Sequence, residues 1–235
     1  MRKFISILVA TALLFASCSN KDLLSDQFVN LPENQMAVLA VFNAVSNTDQ
    51  VDVLLNGERL NTNLEMLRYG EFMRHRTVYP GNRTLSMNIR FGSRTLSTAA
   101  ESLNLSAGRN YSLLLTNGNP VQTALVEDDL LLPRNGQFKV RFLNTNTDGL
   151  AVSIGNNPTA SNVFPPLAAG KMSAFATLDI DEYSLLFAGQ NSAAVNHAFD
   201  LNPANQGVYT IWLTGSLLNK DKADQPTLYA VIKHP

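Results

Sequence analysis

Apolar and polar residues alternate in short runs along most of this chain, which is the period of a half-buried β-strand. Val51, Val53 and Leu55 alternate with polar or outward positions and end at Asn56-Gly57, a strong hairpin signal. Leu85, Met87, Ile89 and Phe91 alternate with Ser86, Asn88 and Arg90, predicting one buried and one wet face. Tyr111, Leu113 and Leu115 form another inward row. Roughly seven such strands, spaced by turn residues, recur twice. This pattern predicts an all-β chain of two tandem immunoglobulin-like or transthyretin-like sandwiches.

The duplication is read by laying the chain on itself. The block at 38–43 aligns with 138–144, so that Asn43 meets Asn144. Blocks at 69–73 and 169–173 align Gly70 with Gly170, and those at 83–87 and 183–187 align Leu85 with Leu185. The block at 110–116 matches 208–214, pairing Tyr111 with Tyr209, and 120–126 matches 226–232. The offset changes most across the polar loop Asn219 to Asp224, where an insertion costs little. Expected sandwiches therefore span 36–130 and 137–235, with a short linker between them.

The first residues follow a different rule. Arg2 and Lys3 precede an apolar run from Phe4 to Phe15, too short for a bilayer span of ~20 residues. Ala16 and Ser17 are small, as a cleavage site requires. Leu14-Phe15-Ala16-Ser17-Cys18 resembles the bacterial lipobox, and Cys18 is the only cysteine. The expectation is a signal peptide over 1–17, a lipid-bearing Cys18, and a polar tether over 18–35. Ser19 beside the lipidation position resembles an outer-membrane sorting signal, which predicts the cell envelope as the address.

Charge and cysteine content narrow the field further. Net charge is −1 for the whole chain and −3 without Arg2 and Lys3, which offers nucleic acid no basic stripe. One cysteine excludes an internal disulfide and zinc sites built on several thiolates.

Several segments are similar to the domain-of-unknown-function family 4397. They are Val140-Arg141-Phe142-Leu143-Asn144, Val51-Asp52-Val53 with Asn56-Gly57, and Ala107-Gly108-Arg109-Asn110-Tyr111. Asp128-Asp129-Leu130, followed by Pro133 and Gly136, resembles the junction between tandem copies. The second repeat departs at Leu150-Ala151-Val152, which lacks the aspartate. The resemblance covers most of 36–235 and implies secreted or surface-anchored bacterial sandwiches. It brings no known active site.

Candidate chemistry is sparse. His75, His197 and His234 are far apart without metal-ligand spacing, and no nucleophile elbow, phosphate loop or H-E-x-x-H motif occurs. Asp179, Asp181 and Glu182 fall at a predicted turn. Asn144, Asn146 and Asp148 imitate half a calcium loop, but Gly155 stands where the bidentate carboxylate belongs, so a hairpin turn is expected. Arg74 and Arg76 on one strand face, with Arg90 outward nearby, form a candidate site for an anionic glycan against the alternative of a solvated face. Trp212 is expected opposite Tyr209, Ile211 and Leu213, in contact with the other sandwich or with a loop, the alternative being an exposed sugar-stacking platform.

The expectation is thus a non-catalytic envelope module without cofactor or metal, binding a protein or polysaccharide. A polymerising surface-fibre subunit is the alternative, and an enzyme with an unannounced site is the least favoured.

Overall fold

The computed structural model describes residues 32, 35–156, 161–189, 192–218 and 228–235. The expected signal peptide, Cys18, nearly all of the tether and the loop Asn219 to Asp224 lie outside the described residues. Residues 32–235 form one compact unit.

The first half holds β1 (Ala37–Ala44), β2 (Gln50–Leu55), β3 (Glu58–Arg59), β4 (Phe72–Val78), β5 (Gly81–Phe91), β6 (Arg94–Ser97), β7 (Glu101–Leu105), β8 (Asn110–Thr116) and β9 (Gln122–Asp128). One sheet runs β4-β1-β8-β9 and the facing sheet runs β3-β2-β5-β6, with β7 also on β5. β1 and β8 pair in parallel, and the other neighbours are antiparallel.

The second half holds β10 (Gln137–Asn146), β11 (Val152–Asn156), β12 (Ser161–Leu167), β13 (Lys171–Met172), β14 (Ala176–Asp179), β15 (Tyr183–Gly189), β16 (Ser192–Leu201), β17 (Val208–Gly215) and β18 (Leu228–Lys233). Its sheets run β13-β10-β17-β18, with β14 also on β10, and β12-β11-β15-β16. β10 and β17 are again parallel. The five aligned sequence blocks occupy equivalent strands of this repeated topology. In the immunoglobulin arrangement the first two strands share a sheet. Here they lie on opposite sheets in each half, which leaves the transthyretin-like alternative.

Each half has its own core. Leu39, Val41, Val53, Met87, Ile89, Leu113 and Leu115 fill the first, and Phe138, Phe142, Ile154, Phe187, Ile211 and Leu213 fill the second. A third apolar cluster joins the halves: Ala40, Phe42, Ala44, Leu114, Leu143, Trp212 and Ile232. The inner sheets are therefore covered on both faces. That explains why β1 and β8 are buried almost without a break while β5, on an outer sheet, alternates.

Turn chemistry matches the sequence. Asn56 (φ 52°) and Gly57 (φ 84°) close the β2–β3 hairpin, with Leu55 opposite Glu58. Both residues are left-handed, as a type I′ turn requires. Asn43 and Asn144 are both fully buried. The Asn43 amide donates to Thr48 Oγ1 at 2.7 Å and Leu67 O at 2.9 Å, and its oxygen accepts from Val45 N. The Asn144 amide donates to Leu150 O and Leu167 O at 3.0 and 2.8 Å. Tyr111 and Tyr209 also repeat, their hydroxyls accepting from Ser106 N at 3.0 Å and Ala204 N at 2.8 Å.

Candidate functional site at the junction of the halves

Strand alternation that aims Tyr111, Leu113, Tyr209 and Ile211 at the two cores aims their neighbours at the junction. Along the junction three zones follow in order, from the end where the linker lies to the end where β1 and β10 stop.

The first zone is polar. Asp128 ends β9, and its carboxylate holds Arg141 of β10 in a forked pair, Nη1 to Oδ1 at 2.5 Å and Nη2 to Oδ2 at 3.2 Å. Both side chains are buried. Ser112 accepts from Arg141 Nη2 at 2.8 Å and donates to Asp128 Oδ2 at 2.7 Å. Arg141 Nε donates to Thr210 Oγ1 at 2.8 Å, and the guanidinium lies 4.6 Å from the ring centre of Phe175. Such a pair is expensive to desolvate, so it persists only with its remaining donors and acceptors satisfied. Here they are.

Thr210, accepting from Arg141, has its own proton for His234 Nε2 at 2.7 Å. That leaves the Nδ1 proton of His234 facing His75 Nε2 at 3.4 Å. Burial, then the nearby Arg141 charge and His75, push the His234 pKa down from 6.5 to about 3. Burial also lowers that of His75, with Asp128 opposing and Arg141 reinforcing. His75 and His234 therefore sit together, although no spacing along the chain relates them. Of His197, only the backbone in β16 is described.

The second zone is apolar. Trp212 is 1% exposed, its ring centre 5.4 Å from that of Phe42 in edge-to-face contact, and its Nε1 donates to Thr145 Oγ1 at 2.8 Å. Its seat on the other half overturns the exposed sugar-stacking platform. The cause is pairing: Leu143 lies beside Trp212 in the sheet, and Phe42 and Leu114 face them from the other half.

The third zone opens into a cleft of about 270 Å³. Thr116, Asn117 and Gln122 line it from the first half, and Thr145, Asn146 and Thr147 from the second. The hydroxyl of Thr147 is buried without a hydrogen-bond partner.

The arginine trio is not brought together. Arg74 and Arg76 lie on β4 of an inner sheet, whereas Arg90 lies on β5 of the outer sheet, opposite Gln50 and Thr95. The β1–β4 register also slips by one residue between Arg76 and Met73, so simple alternation no longer relates Arg74 to Arg76. Arg76 pairs with Glu65 at 2.5 Å. Asn144, Asn146 and Asp148 are engaged within the protein: Asp148 accepts from Ser216 Oγ and from Leu217 and Leu218 N. Asp179, Asp181 and Glu182 are exposed around the turn from β14 to β15. Among the described residues no group of three His, Cys, Asp or Glu side chains could hold a metal ion.

Asp128 and Arg141 enter the sequence reading only through the family resemblance, with no site role, and Phe175 does not enter it. The available signal was Arg141 itself, a charge set inside the apolar run V-R-F-L-N of a strand covered on both faces.

The fold and junction define an all-β protein of two like halves fastened along their inner sheets. Residues 37–155, just over half of the chain, match the family described as "Domain of unknown function (DUF4397)", and the chain belongs to that family. The match begins at the first residue of β1 and ends in β11, so it crosses the linker. No curated protein matches the chain. Among solved structures, a family 26 carbohydrate-binding module of Eubacterium rectale Amy13K, in complex with maltoheptaose, aligns over 85% of this chain and 97% of its own. Identity is 10% and the TM-score 0.25, too low to carry fold or function across.

Proposed function

We propose that this protein is a non-catalytic binding module of the bacterial cell envelope, held at the outer membrane by lipid on Cys18, with a polysaccharide as its partner. The observation that carries the reading is the third zone of the junction. It is concave and lined by Thr116 and the exposed Asn117 and Gln122, beside Thr145 and Asn146, whose polar groups are hydrogen-bonded within the second half. Neutral donors and acceptors around a cleft suit a hydroxylated, uncharged ligand. The groups best equipped for acid–base or nucleophilic chemistry, Ser112, Asp128, His75 and His234, are tied into the hydrogen-bonded polar zone and do not line this cleft. Dispersal of Arg74, Arg76 and Arg90 over two sheets favours a neutral glycan over an anionic one.

The test uses the intact lipidated protein against a panel of insoluble and arrayed polysaccharides. Binding that falls at least ~10-fold in Asn117→Ala and Gln122→Ala supports the cleft, since it means a loss of about 1.4 kcal/mol or more. Capture of an envelope protein with no glycan binding would move the partner to protein. Protease shaving of intact and lysed cells decides whether the module faces outward or toward the periplasm.

A second reading rests on β18, an edge strand whose Leu228 and Val231 are exposed. Open apolar edges recruit further strands. A fibre-forming subunit would sediment as large assemblies, whereas a binding module stays a single species.

A further inference from the structure

The linker between the halves carries two strongly exposed apolar side chains, Leu131 at 77% and Leu132 at 64%. Its backbone is pinned. Gln206 Nε2 donates to Pro133 O at 3.0 Å, Gly136 N donates to Asn205 Oδ1 at 2.9 Å, and Leu131 N donates to Asp129 Oδ1 at 3.2 Å. The leucines are therefore presented to solvent by an ordered segment, and exposed apolar groups gathered together mark a contact surface.

Strand register identifies their neighbours. Ala37, where the chain enters β1, pairs with Val78; Val38 pairs with Asn110, and Asn110 with Asp128. Tyr79, the start of β1 and the linker thus stand side by side at one end of the inner sheet. Ile180 joins them, its N–H donating to Gly136 O at 2.9 Å. Tyr79 is 41% and Ile180 39% exposed. Four of the nine exposed large apolar residues described are gathered at this end, and the cleft lies at the other.

Only nineteen residue steps separate Cys18 from Ala37, a reach of at most ~65 Å. A lipid on Cys18 would hold the Ala37 end next to the bilayer at high effective concentration, where weak insertion is enough. We infer that Leu131 and Leu132, flanked by Tyr79 and Ile180, dip into the surface of the bilayer that carries the Cys18 lipid, and so stand the module upright with its cleft outward. This rests on the lipid-anchor reading.

Leucines suit the acyl boundary, and tyrosine the headgroup level. The charges around them select the lipid. Arg109 pairs with Glu127 and Lys139 with Asp129; Arg83 lies against Tyr79, Arg134 is exposed, and Asp179, Asp181 and Glu182 flank Ile180. The end carries no net basic patch, so the surface it fits is zwitterionic, and Ile180 is the shallowest contact.

Lipidation of the only natural cysteine lets an introduced one be labelled uniquely. Leu131→Cys, Leu132→Cys and, at the cleft end, Gln122→Cys each receive a polarity-sensitive fluorophore, and the full lipidated chain is placed in phosphatidylethanolamine–phosphatidylcholine vesicles. Intact mass reports the lipid on Cys18. Blue-shifted emission and quenching by nitroxide-bearing lipid at 131 and 132, with neither at 122, is the result expected. Lipid on Cys18 with all three labels in water overturns the inference and leaves the anchor reading standing. Equal response at all three means a module lying flat and overturns the upright orientation. A free Cys18 overturns the anchor reading, and the inference with it.

Discussion

Removing the Asp128 carboxylate would strand the Arg141 guanidinium inside the junction, with no water to replace the lost partner. Asp128→Asn is expected to cost about 3–5 kcal/mol in urea unfolding, the usual result of breaking a buried pair. The double replacement Asp128→Leu with Arg141→Met should recover most of that loss, because it removes both desolvation costs. The adjoining histidine gives a pH dependence of known sign. His234 holds its proton only below about pH 3 when folded, against 6.5 when free. Between those values the unfolded chain binds a proton that the folded one does not. Stability is therefore full above pH 6.5 and declines as the pH falls toward 3, by up to ~1.4 kcal/mol per pH unit for this residue. His75 adds to the decline with the same sign. Unfolding midpoints should hold between pH 7.5 and 6.5 and fall from there to 4.5, and His234→Asn should flatten the slope. None of this was legible from spacing, since Asp128, Arg141 and His234 meet only through sheet pairing and the packing of one half on the other. Trp212 lay halfway: alternation told which face it took, but only the junction told that the face was covered.

At the scale of elements, one asparagine in each half joins the end of a central strand to the loops beyond it. Asn43 bonds Thr48 and Leu67, and Asn144 bonds Leu150 and Leu167, while Gly70 and Gly170 donate to the carbonyls of those same asparagines at 2.9 and 2.7 Å. Gly70 is also a close approach, since a β-carbon there would lie 2.7 Å from Leu228 Cδ1. Truncating either asparagine leaves buried backbone carbonyls without a donor. Asn43→Ala and Asn144→Ala should each lower stability by about 2–4 kcal/mol in chemical denaturation. An alanine at the exposed Asn56 should cost less, because water can serve the freed groups. The alignment of the chain on itself paired these residues correctly because each makes the same bridge from strand end to loop, and the strands around them were readable from their alternation. The β4 bulge was not readable. A single extra residue leaves the local pattern of M-R-H-R-T-V unchanged while shifting every side chain beyond it.

The whole molecule turns on whether two like halves unfold as one. Sandwiches joined only by a flexible linker would melt separately, and the repeat in the sequence invites that expectation. The junction argues the other way. Phe42, Leu114, Leu143 and Trp212 bury apolar surface shared by both halves, the Arg141–Asp128 pair bridges them, and Tyr69 of the first half accepts a hydrogen bond from Thr214 of the second at 3.2 Å. Losing either half would expose this shared surface on the other, so neither gains by unfolding alone. Calorimetry of the intact protein should therefore show one transition whose calorimetric and van't Hoff enthalpies agree. Trp212→Ala should cost about 3–5 kcal/mol by opening a cavity and orphaning Thr145. Because that loss falls on the shared surface and not on either private core, it should also split the single transition into two. A variant of similar cost inside one core, such as Ile89→Ala, lowers stability without dividing the transition. Two transitions in the unmutated protein would mean that the junction is too weak to couple the halves. The linker would then act as a hinge, and Leu131 and Leu132 could fix the orientation of one half only.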